Sequence, residues 1–142
     1  MLNKTTIDSG LIVSYQSANY HVYAPQPFTL NIGVASQPLK SLYLSAHIKS
    51  AGFITAYNPH SRALTETENK LRNAKLITEV QQRSLKFIAG IGQCPESEWP
   101  GEESVLVLGI SLEAAKALGK HYGQNAIVWC DADALPQLIF LI

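Results

Sequence analysis

A chain of 142 residues has the size of one domain and can bury a core without disulfides or metal. Eleven Lys and Arg balance eleven Asp and Glu, which excludes a surface built to hold a long nucleic acid or an anionic membrane. With 46% hydrophobic and 15% charged residues, disorder is excluded too.

Ile7, Leu11, Tyr15 and Ala18 recur on one helical face, so a helix is expected over residues 6–17, with Thr6 or Asp8 as its cap. Tyr20–Ala24 and Phe28–Gly33 read as strands, and Pro25 and Pro27 between them suit a hairpin turn. Ser36 can cap a helix with Pro38 in its first turn and Leu39, Leu42, Tyr43 and Ala46 on one face, running on until Gly52. Gly52–Tyr57 is nearly continuously apolar, the pattern of a strand covered on both faces and expected at the centre of the sheet.

Thr65 and Glu68 form a capping box that opens the next helix. Leu85–Ile91 reads as a strand, Gly92–Glu103 as the longest loop, and Val105–Leu108 as a short buried strand. Ser111 caps a helix with Leu112, Ala115, Leu118 and Tyr122 on one stripe, stopped by Gly123. Ala126–Cys130 and Gln137–Ile142 close the chain as strands. The expected fold class is α+β: a single mixed β-sheet with about four packed helices and internal β-α-β units, with α/β as the alternative.

The stretch after Tyr57 is where chemistry is expected. Asn58, Pro59, His60, Ser61 and Arg62 leave the carboxyl end of a strand and run into a helix start, the place where sheets with helical crossovers bind ligands. On that helix Asn69 and Asn73 share a sector with Leu76, Ile77 and Val80, so both amides face inward. An unpaired buried amide costs about 1–3 kcal/mol. These amides therefore bond either to the Asn58 loop, as a structural knot, or to a ligand.

Adjacent carboxylates entering a strand point to opposite faces, so only one of Glu102 and Glu103 can face a pocket, and Glu103 is the acid assigned to any turnover there. Gln124 and Asn125 remain over once Gly123 is explained as a helix stop. His60-Ser61 lacks a third orienting residue and the G-x-S-x-G signature, so no nucleophile is assigned. The histidines and cysteines lack metal-ligand spacing and no phosphate-binding glycine loop occurs, so neither metal nor cofactor is expected. Cys94 and Cys130 are expected to be reduced. MLNKTTIDSG is not followed by the apolar run of a secretion signal, and the expected location is the cytoplasm.

FITAYNPHSR followed by ENKLRN, WPGEESVLVLGIS and YGQNAIVW resembles a bacterial family of unknown function, DUF3293. That family shows an Ile-Thr-Ala-x-Asn-Pro stretch, an Asn-x-x-x-Asn helix start, Trp and Glu-Glu-Ser before a strand, and an aromatic-Gly-Gln-Asn-Ala segment in the same order. The resemblance covers residues 10–141, with His60 a departure where the family more often has an aromatic residue. It implies a stand-alone bacterial domain in which Asn58, Ser61, Asn69, Asn73, Glu103, Gln124 and Asn125 belong to one pattern.

The expected function is binding of a small polar or anionic molecule at the strand-end corner. Asn58, Asn69 and Asn73 are expected to bond it, and Arg62 with the helix start to take any negative charge. The second reading is a protein-interaction module that uses a sheet edge or the Trp99 loop.

Overall fold

Four side chains set the starts of four helices. Asp8 accepts from Gly10 N, Ser36 from Leu39 N, Thr65 from Glu68 N and Ser111 from Ala114 N, each satisfying a donor that the first helical turn leaves unpaired. At Thr65 the bond is reciprocated by the Glu68 carboxylate, completing the capping box. A computed structural model describes residues 7–95 and 100–142; the Trp99 expectation lies outside them.

The elements run α1 (Ser9–Ser17), β1 (Asn19–Val22), β2 (Phe28–Leu30), α2 (Gln37–Ala46), β3 (Ala51–Thr55), α3 (Glu66–Gln82), β4 (Lys86–Gln93), β5 (Glu102–Leu108), α4 (Leu112–His121), β6 (Ala126–Cys130) and β7 (Pro136–Phe140). A single 3-10 turn, Pro59–Ser61, sits between β3 and α3. The class is α+β, with one sheet and four helices among the described residues. α2 ends short of Gly52 because His47 turns into the left-handed region, its N–H still bonded to Tyr43 O. α4 stops where Gly123 takes φ 69, the conformation that favours glycine.

The strands lie in the order β2-β1-β4-β5-β3-β6-β7, and each neighbouring pair is antiparallel. The β-α-β units are present in split form. β3-α3-β4 joins two strands of like direction with β5 between them, and β5-α4-β6 does the same around β3. This is the connectivity of the ferredoxin-like β-α-β-β-α-β unit, extended by the β1–β2 hairpin on one side and β7 on the other. β5, not β3, is therefore the middle strand, because the strand that follows β4 folds back into the gap between β4 and β3.

Strand alternation sends side chains to two cores. On one face Ile54, Val105, Val107 and Ile127 pack beneath Leu76 and Val80 of α3 and Leu118 of α4. On the other, Phe53, Leu106 and Val128 pack with Leu39 and Tyr43 of α2. Leu39 and Leu106 are wholly buried, each contributing about 1.5–3 kcal/mol relative to exposure.

Backbone bonds Gly33 N to Pro136 O (3.0 Å) and Ser36 N to Ala134 O (2.9 Å) draw the two edges of the sheet together around the start of α2. α1 lies over the remainder of this second face and contributes no buried residue. No helix among the described residues is long and apolar enough to cross a membrane.

Close approach of β1 to β4 depends on Gly90. A Cβ there would collide with His21 O and crowd the Phe53 ring at 3.0 Å. Gly90→Ala should lower stability by about 1–3 kcal/mol, by the cost of overpacking. Urea denaturation reads this directly, and an unchanged midpoint would contradict the packing described for β1.

Candidate functional site

β3 ends at Thr55 and the chain then turns sharply. Asn58, His60 and Ser61 have φ of 46, 54 and 59, three left-handed residues within four positions and none of them glycine. Asn tolerates this region better than most residues, but such conformations cost on the order of 1–3 kcal/mol each and persist only where the surroundings enforce them.

The surroundings do so through side chains. Asn58 N donates to Asn69 Oδ1 (2.9 Å), and Asn69 Nδ2 donates back to Asn58 Oδ1 (2.8 Å). The same Asn58 oxygen accepts from Leu64 N (3.0 Å), and Asn58 Nδ2 donates to Glu102 Oε2 (2.8 Å). Arg72 Nε donates to Ala56 O (2.8 Å) and its terminal nitrogen to Tyr122 O (2.5 Å). Gln124 Nε2 donates to Tyr57 O (3.0 Å) and Tyr122 O (3.2 Å), while His60 N donates to Gly123 O (2.8 Å). Of the two alternatives for the inward amides, Asn58 and Asn69 thus take the structural one. Asn73 is buried as well, but it makes no bond to this corner and its Oδ1 has no partner among the described residues.

Beside the knot, between α1 and the half-covered sheet face, lies a cavity of about 190 Å³. Its apolar side is Tyr20, Phe53 and Val128, with the two rings edge to face at 5.3 Å and 72°. Its polar side carries Glu102, Ser61, Asn125 and, from α1, Tyr15. Asn125 is only 7% exposed, and its Nδ2 donates to Ser61 Oγ (3.0 Å) and Tyr15 Oη (3.3 Å). Its Oδ1 is buried and has no partner among the described residues. The Tyr15 and Ser61 hydroxyls share a further bond at 3.2 Å, and Tyr20 Oη donates to Tyr15 O at 2.6 Å. Burial raises the Tyr20 pKa, so that hydroxyl remains a donor.

The Glu pair divides as alternation requires, with the opposite member in the cavity. Glu103 is exposed on the α3 side, where the Tyr57 hydroxyl lies 3.0 Å from its Oε2 and Lys70 Nζ lies 3.4 Å from its Oε1. Glu102 shares the face of Phe53 because Ser104 pairs with Thr55 and Leu106 with Phe53. Any acid in this cavity is therefore Glu102, not Glu103.

Of the residues named from sequence, Asn58, Ser61, Gln124 and Asn125 line the cavity, whereas Arg62, Asn69, Asn73 and Glu103 do not. Arg62 leaves the strained turn in extended conformation, exposed, with no side-chain bond or ion pair among the described residues. Sequence reasoning also missed Arg72, although its place three residues after Asn69 put it beside the inward stripe. Tyr15, expected only as one member of the helical face of Ile7, Leu11 and Ala18, lines the cavity, its hydroxyl bonded to Ser61 and Asn125.

Two substitutions separate the knot from its strained neighbour. Asn69→Ala should cost about 1–3 kcal/mol by leaving Asn58 groups unpaired. His60→Gly should raise stability by about 1 kcal/mol, since it relieves a left-handed exposed residue at the smaller cost of chain entropy. Equal losses for both in thermal denaturation would contradict this assignment.

A third prediction concerns pH. Burial raises the Glu102 pKa above the ordinary carboxylate value, against the opposing pull of the Asn58 bond. The folded chain then holds this proton more tightly than the unfolded chain. Wild type should gain stability relative to Glu102→Gln as pH falls through the raised pKa, levelling off below the ordinary value. A pH-independent difference between the two proteins would contradict the burial of this carboxyl.

Residues 54–127, just over half of the chain, match the family described as a protein of unknown function (DUF3293). The match runs from β3 into β6 and is narrower than the expected span of residues 10–141. It takes in the knot and Glu102, whereas Tyr15 and the rest of α1 lie outside it. No curated protein and no solved structure matches the chain. With its corner, α3 and middle strand all inside the matched segment, the chain belongs to the DUF3293 family.

Proposed function

We propose that the chain binds a small polar molecule in the cavity between α1 and the sheet, at the end of β3. The observation that carries this reading is the Asn125 amide, 7% exposed and in the cavity lining, whose Oδ1 has no partner among the described residues. Leaving such a group unpaired costs about 1–3 kcal/mol, which a ligand donor would recover. Cavities of about 150 Å³ accommodate a benzene ring, so this one has room for a small molecule. Strained backbone at Asn58, His60 and Ser61 adds support, because such strain gathers at ligand sites.

Two free cysteines suit the cytoplasmic location we infer alongside this function. A protein-binding role is the second reading, favoured by the edge strand β7, where Phe140 remains 38% exposed.

Gly92 provides the test. A Cβ at this position would sit 3.6 Å from Tyr20 Cδ1 and 3.8 Å from Phe53 Cε1, ordinary contacts that leave a longer side chain to extend into the cavity. Wild type should show saturable amide-resonance shifts at Ser61 and Asn125 with members of a library of polar single-ring compounds. Gly92→Leu should fold and lose those shifts. Retention of the shifts in Gly92→Leu, or no binder for wild type, overturns the proposed function.

A further inference from the structure

We propose that the ligand class is a primary ammonium compound with a small apolar body, Glu102 taking its charge and Asn125 Oδ1 accepting from one of its donors. This rests on the cavity being a ligand site and adds the chemistry of what enters it. Among the described residues the lining contains one carboxylate, Glu102, and no Lys, Arg or His. Arg62, the cation expected to meet an anion here, is exposed and outside the lining. An anionic ligand would therefore set its charge against that of Glu102. An ammonium group is the complement, with three donors, one positive charge and no acceptor.

The geometry of the polar wall points the same way. Glu102 Oε2 is held by Asn58 Nδ2 at 2.8 Å, and Asn58 is itself locked by Asn69, so the carboxylate is positioned before any ligand arrives. The wall continues without a break. Asn58 O accepts from Ser61 N at 2.9 Å, and Ser61 Oγ accepts from Asn125 at 3.0 Å. The charge acceptor and the orphan acceptor thus belong to one bonded series. Phe53 and Val128 in the same lining offer only carbon, and Tyr20 its ring, with its hydroxyl held on Tyr15 O; these take an apolar body, and the rings favour a nearby cation. Burial penalises the Glu102 carboxylate when it is alone, and a bound cation offsets that penalty.

The test compares three compounds that share a ring and differ in one group: benzylamine, which is protonated at neutral pH, benzyl alcohol and benzoate. In calorimetric titration at pH 7 and about 0.15 M salt, benzylammonium should bind wild type at least about tenfold more tightly than benzyl alcohol, the margin expected for a charge-assisted over a neutral hydrogen bond, and benzoate should not bind. Glu102→Gln should abolish the preference, bringing benzylammonium and benzyl alcohol to within about threefold of each other.

Benzyl alcohol or benzoate binding as tightly as benzylammonium overturns the ammonium class and leaves the cavity standing as a ligand site. Failure of benzylammonium to bind overturns it too, and the library screen with Gly92→Leu then decides separately whether the cavity binds anything. The wild-type ranking stands without the variant, so a Glu102→Gln chain that failed to fold would not shield the proposal.

Discussion

The amide pair Asn58 and Asn69 is the constraint on which the rest of the site depends. Asn58 occupies a left-handed conformation at the end of β3, and its backbone N–H and side-chain oxygen are both engaged by the one amide of Asn69 on α3. That leaves Asn58 Nδ2 free to reach across to Glu102 on β5. A single residue thus joins strand, helix and neighbouring strand, and because each bond fixes the orientation needed by the next, the pair acts as a network rather than as isolated contacts. Arg72 and Gln124 reinforce it by holding the carbonyls of Ala56 and Tyr57, groups that would otherwise leave the sheet without partners.

The cavity follows from how unevenly the two faces of the sheet are covered. α3 and α4 bury Leu76, Val80 and Leu118 completely on one side. On the other, α2 covers only the portion under Leu39 and Tyr43, and the remainder falls to α1, a helix with no buried residue. Polar contacts through Tyr15, to Ser61, Asn125 and Tyr20, secure α1 instead. Local opening draws on elements with the fewest buried apolar contacts, and α1 is such an element. The strained corner and the lightly held helix meet at Ser61.

Much of this was legible in the sequence because it is written in local chemistry. Ser36, Thr65 and Ser111 mark helix starts through side-chain oxygens that can only satisfy the first turn, and the inward sector of Asn69 follows from helical period alone. What stayed hidden depends on pairing between distant segments. β5 is apolar on both faces, so alternation in Val105–Leu108 could not say whether Glu102 or Glu103 turns toward the cavity; that was decided by register, Ser104 opposite Thr55. Period told that Asn69 and Asn73 point inward but not toward what. One meets Asn58 eleven residues earlier and the other does not. Arg62 read as an anion ligand because it adjoins a helix start, yet the turn at His60 and Ser61 carries it to solvent.

The central claim is that the Asn58 corner closes on itself while Glu102 and Asn125 face a ligand. A crystal structure of the protein grown with benzylammonium tests it most directly. The account predicts the ammonium nitrogen within hydrogen-bonding distance of the Glu102 carboxylate, a ligand donor or a bridging water on Asn125 Oδ1, and the Asn58–Asn69 bonds unchanged. A ligand bound to Asn69 or Asn73 with the amide pair opened, or seated outside the cavity, would contradict it.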